Sequence, residues 1–274
     1  MTKATTTTTT TMTTNDRPAW IVPDWPAPAW VRALSTTRHG GVSESPYGLA
    51  DGSTGGLNLG THVGDDPVAV SENRQRLAEH LPAMPRWLDQ VHGCGVVTAD
   101  GVTDGVPQAD ASIATESGHV CAIMTADCLP VLLCDAAGTV VGAAHAGWRG
   151  LCDGVIEATL ARMAPHAGPD PTWLAWLGPA IGPTAFEVGA EVRAAFIERA
   201  RDDERAGVEA AFLPGAPGKY WADIYALARI RLARAGCVRI HGGDVCTVTD
   251  ADRFFSYRRD RTTGRMATLV WLER

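Results

Sequence analysis

The chain has 274 residues, enough for a large core, and its 45% hydrophobic and 20% charged residues are the balance of an ordinary globular protein. A net charge of −7 argues against a general nucleic-acid or membrane-surface binder, which needs clustered positive charge, so any anion must be met by local arginines. The seven cysteines, an odd number set mostly in apolar runs, read as reduced thiols of a cytoplasmic protein, and no stretch approaches the roughly 20 apolar residues of a membrane span.

Residues 1–17 are threonine-rich without apolar period and are expected to form a disordered tail; 18–274 show no linker or solenoid repeat and read as one α/β domain. Trp20 to Trp30, with Pro23, Pro26 and Pro28, is an extended lead-in whose tryptophans dock on the body. Val31 to Thr37 reads as a strand that empties into Arg38-His39-Gly40-Gly41, either a tight turn or a glycine pair that lets backbone approach a ligand. The glycine-rich stretch from Gly55 to Gly64 is a connection or a substrate flap. Asp66 as N-cap and Pro67 at the first helical position open a helix with Val70, Leu77 and Leu81 on one face.

Arg86 to Val91 reads as a strand ending at His92, and residues 99–110, with Asp100, Asp104 and Asp110, as an acidic surface loop of solvated carboxylates. Val120 to Met124, Val131 to Cys134 and Val140 to Ala144 are short buried strands, the last two joined by the turn at Asp135 to Gly138. In an antiparallel pair Cys128, at a strand start, and His145, at a strand end, become neighbours. The following Gly147-Trp148-Arg149-Gly150 opens a helix, so a metal beside an anion-receptive helix N-terminus is suggested. Helices are expected over Val155 to Met163, Glu187 to Arg201 and Tyr220 to Ala235, the last with Trp221, Ile224, Leu227, Ala228 and Ile230 inward and Gly236 as its stop. Trp173 to Leu177, Val238 to His241 and Met266 to Leu272 read as strands, and Gly178 to Pro183 as a stiff loop. Phe254 to Asp260 sets aromatics beside two arginines.

His92, Cys128 and His145 form a two-histidine, one-cysteine set at strand ends, and three protein ligands leave a tetrahedral zinc one open position, the catalytic arrangement. The ligands have no compact spacing, and from spacing alone Cys128 can equally be a core thiol. A structural metal site would instead need a fourth ligand, for which His39, His62 and Cys94 are the candidates.

The segments Thr36 to Ser43, Leu57 to Gly60, Gln90 to Gly93, Thr125 to Pro130, His145 to Gly150, Gly178 to Pro183 and Phe254 to Arg259 together resemble, in order, the signatures of the YfiH-like family. That family is variously called multicopper polyphenol oxidase, purine nucleoside phosphorylase and peptidoglycan editing factor. The resemblance covers roughly residues 31–272 and implies a single-domain layered sandwich of mixed sheet and helices, with zinc, or alternatively copper, on His92, Cys128 and His145. It also implies phosphorolysis of adenosine, inosine, guanosine and methylthioadenosine, with adenosine deamination. Phosphate and leaving-group charge would then fall to Arg38, Arg149 and the pair Arg258 and Arg259, with Asn58, His62 and Gln90 in the pocket. Asp127 beside the cysteine is a candidate acid/base, with a structural hydrogen-bonding role as the alternative.

Two rivals share this site. Copper-dependent phenol oxidation could use Met124 as a fourth copper ligand, but eight histidines without a His-x-His pair do not make a multicopper cluster. Hydrolysis of a wrongly aminoacylated, UDP-linked cell-wall precursor would use the same metal and arginines. Purine nucleoside and phosphate are the expected partners, with no nucleic acid or membrane, and the protein is expected to be a monomer or a homodimer.

Overall fold

Apolar residues alternate between two burial environments along the central strands, which fixes a sheet sandwiched between two cores. The computed structural model describes residues 20–100 and 105–274, so the threonine-rich stretch and Asp104 lie outside it. The chain runs β1 (Val31–Ser35), β2 (His39–Ser43), α1 (Pro67–Ala78), β3 (Val96–Thr98), β4 (Ala111–Ala114), β5 (Val120–Thr125), β6 (Leu129–Asp135) and β7 (Val141–Ala146). There follow α2 (Trp148–Asp153), α3 (Val155–Met163), β8 (Trp173–Leu177), β9 (Glu187–Gly189), α4 (Ala190–Arg199), α5 (Arg205–Ala210) and β10 (Phe212–Pro214). The last elements are β11 (Lys219–Ala222), α6 (Ile224–Arg234), β12 (Arg239–Gly242), α7 (Tyr257–Asp260) and β13 (Met266–Leu272).

The six-stranded sheet has the order β12-β8-β6-β7-β4-β3, and a three-stranded sheet β1-β13-β5 lies across it. In β6, Val131 and Leu133 join the core under α3 and α6, whereas Leu132 and Cys134 join a second core with Val270, Leu272, Cys121 and Ile123. Successive side chains point to opposite faces, so a run buried on both sides must be apolar throughout. In β13 the alternate residues Ala267, Leu269 and Trp271 face a third core with Leu57, Leu59 and Leu77. The layers are therefore helices, large sheet, small sheet, and α1 with the glycine-rich loop. Each fully buried leucine contributes roughly 1.5–3 kcal/mol relative to exposure.

Local chemistry accounts for most elements. Asp66 accepts the Val68 N–H at 3.0 Å as N-cap, Pro67 follows, and Val70 and Leu77 are buried, with Leu81 half-buried beyond the helix end. Trp25 packs against the second core and Trp20 against the third, and Trp30 donates to the Gly138 carbonyl at 3.2 Å, so the lead-in docks as expected.

Several expectations are corrected. Gly40 and Gly41 are not a turn but part of β2, and a Cβ at Gly41 would collide with the Gly56 carbonyl; the close approach is to another backbone, not to a ligand. Arg86 to Val91 makes only isolated bridges, from Arg86 to Cys121 and Asp89 to Gln108, because the Gln90 side-chain amide replaces backbone in pairing with Met124. The segment from Glu187 begins as β9, which pairs with β11, so the helices expected from Glu187 and Tyr220 start at Ala190 and Ile224. Asp223 caps the latter by accepting Ala226 N–H at 2.9 Å. Trp221 accordingly lies in a strand, and Val238 is exposed outside β12.

Candidate metal centre and adjoining cavity

Register builds the site. β6 and β7 pair antiparallel with Pro130 opposite His145, which brings Cys128, two residues ahead of Pro130, alongside the end of β7. β4 pairs with β7 through Ala111 and Ala144, so Asp110 falls beside His145. His92 arrives from the loop after Gln90. The three ligand atoms lie within 4.8 Å of one another, with Cys128 Sγ 3.7 Å from His92 Nε2 and the two imidazoles 4.7 Å apart in an edge-on arrangement.

Asp110 is the organiser. Fully buried, its carboxylate meets His145 Nδ1 at 2.8 Å and accepts the N–H groups of His92 at 2.9 Å, Gly93 at 2.7 Å and Val91 at 3.2 Å. It thereby turns His145 Nε2 toward the site and holds His92 at φ 62°, a left-handed conformation that costs a β-carbon residue of order 1–3 kcal/mol. The expectation that Asp110 is solvated is wrong: it immediately precedes an apolar strand and is drawn inside with it. Asp100 is likewise engaged, accepting from the Thr115 N–H at 2.8 Å and its hydroxyl at 2.7 Å.

Asp127, at φ 97°, immediately precedes Cys128. Its oxygens accept from Thr247 Oγ1 at 2.6 Å, Ser256 Oγ at 3.1 Å and the Arg258 N–H at 2.6 Å. These bonds fit the structural alternative for this residue rather than a proton carrier.

Burial alone would raise the Cys128 thiol, but the His145 charge and hydrogen bonds from His145 and His92 overcome it and bring it down to about 6. Burial opposes charge on His145, yet the Cys128 thiolate and the Asp110 hydrogen bond push it up to about 9. The pair is therefore thiolate and imidazolium near neutrality. A thiolate and two imidazoles suit a borderline-soft ion, and the backbone leaves them a cradle: a Cβ on Gly147 would sit 2.8 Å from His92 Cδ2 and 3.1 Å from Cys128 Sγ. These residues can hold a metal ion. No further His, Cys, Asp or Glu joins the group among the described residues. His39 instead contacts the Asp252 carbonyl at 2.6 Å, and Cys94 contacts the Gly150 carbonyl at 3.7 Å. The helix opened by Gly147 spans only Trp148–Asp153, too short to sum much macrodipole.

The three ligands open into a cavity of about 390 Å³ whose other walls include His62, Asp89, Gln90, Met124, Tyr257 and Arg265. Gln90 is committed to the Met124 backbone, at 2.8 Å to both its N–H and its carbonyl. His62 is exposed at the rim, its pKa lowered by partial burial and by Arg265. Asn58 is fully buried; it accepts the Arg265 N–H at 2.8 Å and so seats that arginine instead of lining the cavity.

The arginines divide sharply. Arg38 is buried, gives Nε and Nη2 to the Gly48 carbonyl and Nη1 to that of Ala251, and stacks on Phe255, so it stands as a framework residue outside the cavity. Arg259 likewise binds the carbonyls of Thr247, Val248 and Phe254 and the Asp260 carboxylate. Arg149 is exposed over the Trp148 ring. Arg258 and Arg265 are the two that line cavities beside Cys128. Asp110, Tyr257 and Arg265 are the site residues that sequence reasoning does not single out. Tyr257 stands within a quoted signature, and Asp110 at the head of a buried strand, as Cys128 does; Arg265 carries no such signal.

Fold and site define a layered α/β protein with a histidine, cysteine and histidine group opening on a cavity. The chain belongs to the family described as multi-copper polyphenol oxidoreductase laccase, whose family model matches residues 32–273. It is 56% identical to purine nucleoside phosphorylase YfiH of Escherichia coli over 254 residues, 92% of this chain and 98% of that one. A purine nucleoside phosphorylase of Pseudomonas aeruginosa is also 56% identical, over 93% of this chain and 99% of its own. The fold is shared with the crystal structure of a Neisseria meningitidis protein, at 49% identity and a TM-score of 0.83 over 93% of this chain and 99% of that one. It is shared too with YlmD from Geobacillus stearothermophilus, at 33% identity and 0.78 over 90% and 93%.

Proposed function

We propose that this chain is a zinc-dependent purine nucleoside phosphorylase acting on adenosine, inosine, guanosine and methylthioadenosine. The observation that carries the reading is the three-ligand group open to a cavity that also holds one arginine and one carboxylate, in a chain 56% identical to phosphorylases. Arg265 is suited to phosphate: it lies in the cavity wall, with Nη1 steadied by the carbonyls of Thr263 and Gly264 at 3.1 Å. Asp89, exposed and lining the same cavity, offers acceptors for ribose hydroxyls. In the reaction a phosphate oxygen bonds to C1′ as the C1′–N9 bond breaks, its electron pair leaving with the purine. Zinc in the group would supply Lewis acidity toward one substrate oxygen. The remaining work of the chain is to orient phosphate and sugar and to exclude water.

Phosphorolysis ranks above adenosine deamination because the latter needs a proton carrier, and Asp127 is tied into three hydrogen bonds. One three-ligand group also fits a single ion better than the several coppers of a laccase. Mass spectrometry of metal-quantified protein with adenosine tests the reading: adenine and ribose 1-phosphate are expected only when phosphate is added. Inosine in both tubes would add deamination, and untouched adenosine at one zinc per chain would overturn the assignment. Cys128→Ala and His145→Ala are expected to lose metal and turnover while the far-UV circular dichroism stays unchanged.

A further inference from the structure

A second, smaller cavity of about 190 Å³ meets the first at Ala126, Cys128 and Tyr257. Its character is different. The walls are Trp148, Ile181, Phe186 and Ile224, closed on one side by Arg258. Ile181, Phe186 and Ile224 belong to the main core and are 2%, 8% and 1% exposed, so this lobe is a largely apolar slot. An apolar cavity of about 150 Å³ already admits a benzene ring, so the slot has room for a flat heterocycle whose substituent projects into the larger cavity. Trp148, Phe186 and Tyr257 all line it, an aromatic composition that suits a flat ring.

Arg258 is the cation that lines the slot. Its Nη1 donates to the carbonyls of Glu187 at 3.0 Å and Ala185 at 3.4 Å, its guanidinium carbon lies 5.7 Å from the Phe186 ring centre, and it has no carboxylate partner among the described residues. The Asp127 carboxylate also lines the slot but is taken up by Thr247, Ser256 and the Arg258 backbone N–H, so the guanidinium, free of an ion pair in a largely apolar wall, is matched by a planar group with adjacent acceptors on one edge. Arginine makes this match with N7 and O6 of a 6-oxopurine, whereas adenine presents an N6 donor where O6 would be.

Resting on the purine-nucleoside reading, we infer that this slot is the base subsite and that Arg258 reads the N7 and O6 edge, favouring inosine and guanosine over adenosine. Base in the slot and phosphate beside Arg265 leave C1′ at the junction walled by Cys128 and Tyr257. The electron pair released from the C1′–N9 bond spreads over the purine toward N7 and O6, where the Arg258 donors meet it.

The test uses the full-length, metal-loaded protein, with calorimetric titration of free hypoxanthine and adenine and steady-state kinetics on inosine and adenosine, for wild type, Arg258→Met and Tyr257→Leu. Hypoxanthine is expected to bind more tightly than adenine. Arg258→Met should weaken hypoxanthine binding and raise KM for inosine about tenfold, leave KM for phosphate unchanged, and bring the kcat/KM ratio of the two nucleosides toward one. Tyr257, half-exposed on a short helix, can be changed with little risk to the fold; its leucine variant should weaken both bases. Unchanged hypoxanthine binding in both folded variants would overturn the assignment. If the wild type turned over neither nucleoside yet lost hypoxanthine binding in Arg258→Met, the slot would stand and the phosphorylase reading would fall.

Discussion

At the scale of single residues, Asp110 links two of the three candidate ligands, orienting the His145 ring and the backbone of His92 with one carboxylate. Asp110→Asn is therefore expected to weaken metal affinity about 10–100-fold, read by competition with a chromophoric chelator, and to shift the His145 ring ¹⁵N resonances. The same pair of ligands sets a pH dependence. His145 is held protonated up to about 9 and Cys128 is ionised down to about 6, so metal uptake between these values displaces one proton and affinity rises with pH. Below about 6 the Cys128 proton must also leave, and affinity falls more steeply; a flat affinity between pH 5 and 9 would contradict this. Cys128 and His145 were legible in the sequence because each stands where an apolar strand meets a polar turn. Arg38 and Arg259 look like anion contacts in their signature segments, yet both bind carbonyls, because a buried guanidinium must satisfy its donors wherever acceptors are nearest. Nothing in the sequence around Arg265 marks it, since its place depends on Asn58, far away along the chain.

At the scale of elements, every strand buried on both faces that shows an apolar run of the right length is legible, namely β5, β6, β7, β8 and β13, and the partly exposed β1 and β12 are legible too. Those that read as helix, β9 and β11, are short and pair with each other across a long interval, so no local pattern betrays them. The helices beyond them are joined by a clamp. Arg234 of α6 donates Nε at 2.7 Å and also Nη2 to Glu204 at the head of α5, and the Glu204 carboxylate also accepts the Arg201 N–H at 3.0 Å. The Arg234 hydrogen bond outweighs burial and brings Glu204 down to about 2. A carboxyl depressed in the folded state stabilises fully above its ordinary value near 4.5, and that contribution is lost as pH falls toward about 2. Glu204→Gln is expected to cost roughly 1.5–3 kcal/mol at pH 7. By denaturant titration the difference from wild type should shrink as pH is lowered through this window.

At the scale of the molecule, an ion on His92, Cys128 and His145 would tie the loop at His92 to both central strands of the large sheet, so its occupancy would be coupled to global stability. An ion free at 100 times its dissociation constant adds about 2.7 kcal/mol. Removing it with a chelator should lower Tm by about 5–10 °C in a chain of this size, and re-addition of zinc should restore it. No change in Tm on chelation would show that the group does not bind metal in the folded protein. The seven thiols carry a further consequence. Cys94, Cys121, Cys134, Cys152 and Cys237 are all pushed up by burial; Cys246 is lowered by hydrogen bonds despite its burial, and Cys128, brought down to about 6, is the acidified thiol that lines the cavity. To peroxide or an alkylating agent the metal-free protein presents its sulfur nucleophile at the heart of the site, whereas a bound ion would mask it. The ion that serves chemistry would then also be the protein's shield against irreversible oxidation.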